Sequence, residues 1–173
     1  MENLNTLITL KNRPQNMIDL SRRREEDEQV FYKYLKGGID EEIFKNPSFF
    51  RQNQIEYFLN SEQFIQNLKE ILNETNTLNN FIKYFDNQFI RDVFVKFLDV
   101  SKNDVIHIIK TPKLLSIPKY KIIFWKLLFT YENKENFEVE FIKLIKKISE
   151  NHPKKNVLEV LNFGIALIRI KAS

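Results

Sequence analysis

The chain has 173 residues, 43% of them hydrophobic and 29% charged, with three glycines, five prolines and no cysteine. That apolar share at a one-domain length is enough to bury roughly 70% of the unfolded surface, while the cysteine count excludes disulfide scaffolds, zinc ribbons and thiol nucleophiles. The net charge of +4 is uneven, with 13 basic against 16 acidic side chains over residues 1–101 (net −3) and 14 against 7 over 102–173 (net +7), so the second half is the one suited to an acidic partner.

Glu2 and a short apolar stretch open the chain in place of a secretory h-region, which predicts an intracellular protein, cytoplasmic or nuclear. A short helix is expected over Glu2–Lys11, broken by Pro14. A longer one follows over Asn16–Lys36, stopped by Gly37-Gly38. Within it Arg22–Arg24 face Glu25–Glu28 at helical spacing, the pattern of a solvated face. Asp40 caps Glu41–Lys45, a setting in which Asp40, Glu41 and Glu42 favour the helix dipole. Asn46-Pro47 opens a helix to Leu59, Ser61 starts another to Asn73, and Thr77–Phe85 and Asn87–Ser101 follow. The last of these carries Phe89, Ile90, Val93, Phe94, Phe97 and Leu98 as one apolar stripe.

A short helix is expected over Asn103–Lys110 and ends at Pro112; a kinked piece spans Lys113–Ile117, and Pro118 opens a buried helix to Tyr131. Asn136 is expected to cap the next helix, whose core stripe is Phe137, Phe141, Leu144, Ile145 and Ile148. Pro153 separates it from a final helix over Lys154–Lys171. The β-branched runs Val105–Ile109 and Ile165–Ile170 have strand propensity, but neither has turn chemistry beside it or protection for a sheet edge.

These readings predict an all-α domain spanning residues 1–173, with 1–38 as a peripheral N-terminal arm. Antiparallel helical hairpins stack in it as a short HEAT/armadillo-like array or as an irregular helical bundle. The segment LLSIPKYKIIFWKLLFTYENKENFEVEFIKLI, Leu114–Ile145, resembles a HEAT/armadillo hairpin and is most similar to the Mo25-type scaffold family. The resemblance implies a non-enzymatic scaffold that binds a kinase or pseudokinase, and no binding residue is carried over from it.

Site chemistry is sparse. His107 lies among apolar neighbours with Asp104 three residues earlier and no nucleophile at a recognisable spacing, and His152 reads as a solvated turn residue before Pro153. Glu138 and Glu140 point to different helix faces and form no carboxylate pair. No catalytic residue, cofactor or metal is therefore expected. The leading expectation is a protein–protein adaptor. One alternative is nucleic-acid or anionic-surface binding, to which Lys110, Lys113, Lys119, Lys121 and Lys126 contribute ahead of a basic surface of Lys143, Lys146, Lys147, Lys154 and Lys155. Another is a Bcl-2-like groove for an amphipathic peptide, although the block Asn-Trp-Gly-Arg is missing.

The single tryptophan, Trp125, is expected in the core among Ile122, Phe124, Leu128 and Phe129. The final helix is apolar on nearly every face, which predicts that part of it is a partner or self-association surface, with Ile165, Ile168, Arg169 and Lys171 as contacts. Gly164 in its middle suits close approach of another helix.

Overall fold

The computed structural model describes residues 26, 28–37, 55–98 and 110–172. The predicted elements Glu2–Lys11 and Glu41–Lys45, all of Asn103–Lys110 but its last residue, the early parts of two longer elements, and His107 with its β-branched run lie outside these residues.

Every regular element among the described residues is helical. Helix α1 covers residues 28–35 and ends where Gly37 takes φ +81°, a left-handed conformation that a side chain would strain. Of the segment 1–38 expected as a peripheral arm, the described part is packed rather than peripheral at Phe31, Tyr32, Tyr34 and Leu35, which are buried, with the Phe31 ring 5.5 Å from both Phe64 and Phe85.

Helices α2 (Ile55–Asn60) and α3 (Glu62–Ile71) meet at Ser61, whose hydroxyl accepts from the Phe64 amide at 3.2 Å and so satisfies one of the open donors of α3. Helix α4 (Thr75–Tyr84) leads into α5 (Asn87–Phe97) through Asp86, which caps the Phe89 amide at 2.9 Å. Pro112 precedes a 3-10 turn at Lys113–Ser116, and Pro118 occupies the first position of α6 (Pro118–Thr130), where its missing N–H costs nothing. Helix α7 (Lys134–Ser149) starts one turn earlier than its sequence suggests. Asn133 takes extended backbone and accepts from the Asn136 amide at 2.8 Å, so Asn133 is the cap and Asn136 the residue capped. Helix α8 spans Lys154–Ala172 and includes the whole of Ile165–Ile170.

Helix α6 is the hub. It packs on α4, α5, α7 and the 3-10 turn, while α8 returns to α5, α7 and that turn. Its low amphipathicity follows from this position: Tyr120, Phe124, Trp125 and Leu128 have no exposed surface, as expected for Trp125. Phe129 meets Phe81 of α4 and Phe94 of α5 edge-on, and Phe124 stacks on Phe163 of α8 at 5.6 Å. The close approach expected at Gly164 is made by α7, since a Cβ there would lie 2.3 Å from the tip of the Phe141 ring.

Candidate functional site

The 3-10 turn buries Leu114 and Leu115 and leaves Lys113 exposed, and it is tied to the core by a polar relay. The Trp125 indole N–H donates to Asn87 Oδ1 at 2.7 Å, and the Asn87 amide donates to the Leu115 carbonyl at 2.8 Å. Burying the indole would otherwise leave an unmade bond, so this relay both satisfies it and fixes the height of the turn.

The start of α8 is held from the same helix. Rather than facing solvent, as its turn position suggests, His152 is half-buried, with its ring edge-on to Tyr120 at 5.5 Å and Nε2 3.2 Å from the Tyr120 hydroxyl. The cause is Tyr120 itself, whose fully buried ring leaves its hydroxyl in need of a partner.

Between these two anchored walls runs a groove of about 640 Å³. Its floor is apolar, from Pro112, Leu114 and Phe163, and its rim carries Lys110 and Lys113 on one side and Lys155 on the other. Thr111, Asn156 and Asn162 add hydrogen-bonding groups, and Glu159 is the single acid against the three lysines. Among these lining residues there is no histidine, thiol or carboxylate pair, so what the groove offers is positive charge, amide and hydroxyl donors, and an apolar base.

Of the basic residues singled out in the sequence, Lys110, Lys113 and Lys155 line the groove, Lys126 is half-buried on α6, and Lys143, Lys146, Lys147 and Lys154 are exposed elsewhere on α7 and α8. Lys121 leaves the surface set altogether. It is half-buried and donates to the Phe85 carbonyl, and burial holds its pKa below the usual 10.5 despite the nearby Asp86. Lys119 lies 4.8 Å from the Tyr120 ring centroid.

The contacts expected on the final helix are divided by the structure. Ile165 and Ile168 are half-buried, Ile168 against the core, and Arg169 is exposed. Lys171 is turned inward: its ammonium sits 3.8 Å from the Tyr131 ring centroid and donates to the Tyr131 and Leu128 carbonyls at 3.2 and 3.4 Å, capping the C-terminus of α6. Burial, with a smaller contribution from Lys69, holds its pKa below 10.5. The helix is thus less apolar on its outer side than the sequence suggests, where Leu158, Glu159, Asn162 and Arg169 are exposed.

Among the described residues no group of three or more His, Cys, Asp or Glu side chains is placed to hold a metal ion, and no helix is long and apolar enough to cross a membrane. In comparisons with protein-family models, curated proteins and solved structures, nothing matches the chain.

Proposed function

We propose that the chain is a non-enzymatic helical adaptor that holds an acidic segment of a partner protein in the groove between the 3-10 turn and α8. The carrying observation is the combination of an apolar floor at Leu114 and Phe163 with a cationic rim at Lys110, Lys113 and Lys155. A peptide that alternates acidic and apolar residues satisfies both, whereas a bare polyanion uses the rim alone. The resemblance of Leu114–Ile145 to a HEAT/armadillo hairpin of the Mo25 type supports the scaffold reading, and an intracellular location belongs to the same proposal.

Nucleic acid fits this groove less well. Sequence-tolerant binding of single strands relies on free aromatic faces, but the one aromatic ring lining the groove, Phe163, is already stacked on Phe124, and the rim has no arginine for bidentate phosphate contacts. A Bcl-2-like mode requires a long apolar groove between helices, and here only Pro112, Leu114 and Phe163 of the lining residues are apolar.

Fluorescence anisotropy tests the reading with two labelled peptides, one carrying Asp and Glu around a central Leu and the other their Asn and Gln counterparts. The acidic peptide binds, the neutral one does not, and Lys113→Glu with Lys155→Glu weakens binding by roughly tenfold or more. Tighter binding of single-stranded RNA than of the acidic peptide, abolished by the same substitutions, would transfer the groove to the nucleic-acid reading.

A further inference from the structure

The solvent side of α7 carries two of the most exposed large apolar side chains among the described residues, Val139 at 51% and Ile142 at 54%. They do not stand alone. Glu135, Val139, Ile142 and Lys146 recur at i, i+4, i+7 and i+11, which places them on one stripe along the helix, and all four are exposed. The opposite stripe, Phe137, Phe141, Leu144 and Ile148, is the one buried in the core.

The charge order along the outer stripe is what selects its occupant. It runs acidic, apolar, apolar, basic, so turning the helix end for end about a point between Val139 and Ile142 maps the acidic end onto the basic end. A surface with that property is complementary to itself under a two-fold rotation. Lys143 is held by Glu140 at 2.7 Å on the flank, which leaves Lys146 as the basic end of the stripe.

We propose that α7 is the interface of a symmetric homodimer, in which two copies cross antiparallel through this stripe. Val139 packs on the partner's Ile142 and Ile142 on the partner's Val139. Glu135 faces the partner's Lys146, and Lys146 the partner's Glu135. The antiparallel sense also sets the two helix dipoles in their favourable relation. Because one helix pair is smaller than a standard interface, the dimer is weak, with a Kd on the order of 100 μM. None of these residues lines the groove, so the groove reading and this one stand or fall separately.

Sedimentation equilibrium of the full chain from about 10 μM to 1 mM tests it. The wild-type protein passes from monomer to dimer across that range. Glu135→Lys alone and Lys146→Glu alone each set like charges against one another at two symmetric positions, and each weakens the dimer by roughly tenfold or more. The two variants mixed in equal amounts form a heterodimer, and the double variant E135K/K146E forms a homodimer, both within about threefold of wild type, because opposite charges face again. Ile142→Glu abolishes the dimer and leaves the circular dichroism spectrum unchanged and the melting temperature within a few degrees, as expected for a side chain that is more than half exposed. A wild-type protein that stays monomeric at 1 mM overturns the proposal. So does a dimer indifferent to the single charge reversals, or one that the mixture fails to restore.

Discussion

Replacing Gly164 by alanine separates two opposing effects whose net sign depends on the contact between α7 and α8. At an ordinary helix position the change stabilises by about 1 kcal/mol, since glycine has the greater backbone entropy to lose. Here the new Cβ would lie 2.3, 2.8 and 3.1 Å from three atoms of the Phe141 ring, where ordinary contact begins at 3.4 Å. The ring must therefore retreat by roughly 1 Å, and its own neighbours limit that movement: Phe137 stacks on it at 5.2 Å, and Phe124 stands at 6.2 Å. Overpacking of this kind costs about 1 to 3 kcal/mol. Set against the propensity gain, Gly164→Ala is expected to destabilise by about 1 kcal/mol, a fall in Tm of about 2–4 °C for a domain of this length. Urea denaturation followed by far-UV circular dichroism measures it. In a Phe141→Leu background, where the ring tip is gone, the same substitution should become neutral or stabilising, a coupling of about 1 to 2 kcal/mol. A Gly164→Ala protein that is about 1 kcal/mol more stable than wild type would show that α7 does not press on α8 at this point.

Trp125→Phe retains much of the ring but strands Asn87 Oδ1, and should cost about 1 to 3 kcal/mol in a denaturant melt; Trp125→Ala should cost about 3 to 5 kcal/mol as a cavity, and an unchanged melt for either would remove the side chain from the core. Burial, then the hydrogen bond to Glu28, raises the pKa of Tyr32 above its ordinary 10.0, so its contribution to stability is complete below that pH and is lost as pH climbs beyond it. Urea melts between about pH 9 and pH 11 should fall more steeply for wild type than for Tyr32→Phe, and parallel curves would contradict the burial of the phenol. Lys171→Met should lower stability by up to about 1 kcal/mol, through loss of the cap on α6, with self-association unchanged. Unchanged stability with altered association would return Lys171 to the surface role that its place in the sequence suggests.

The helical class and many of the helix ends were readable from local chemistry. Ser61, Pro118 and Gly37 each act within one turn of themselves, and apolar periodicity identified Trp125 as core. What escaped the sequence depends on pairings across the chain. Asn87 looks like one more asparagine in an asparagine-rich composition, yet its amide joins Trp125 to the 3-10 turn. Asn80 is similar, donating to the Leu35 carbonyl at 2.9 Å and so tying α4 to the end of α1. His152 and Lys171 lie deeper than their places in the sequence suggest for a related reason. A polar residue near a helix end is normally solvated, and only the position of α6 supplies the buried hydroxyl and open carbonyls that draw these two inward. The groove was partly visible as an excess of lysine, but which lysines share it depends on how residues 110–114 come to face residues 155–163.

The central place of α6 has a consequence for how the chain matures during synthesis. Its apolar surface is shared among partners on both sides of it in sequence: α4 and α5 are made before it, α7 and α8 after it. While the polypeptide grows, Phe124 and Trp125 therefore have part of their cover ready but remain exposed on the side that Phe163 will occupy, until translation has passed α7 and reached α8. During that interval the nascent chain displays an aromatic surface with no internal partner, the condition under which unfinished proteins associate with one another or are held by chaperones. The hub on which the finished fold converges is thus left partly uncovered until the last helix has been made.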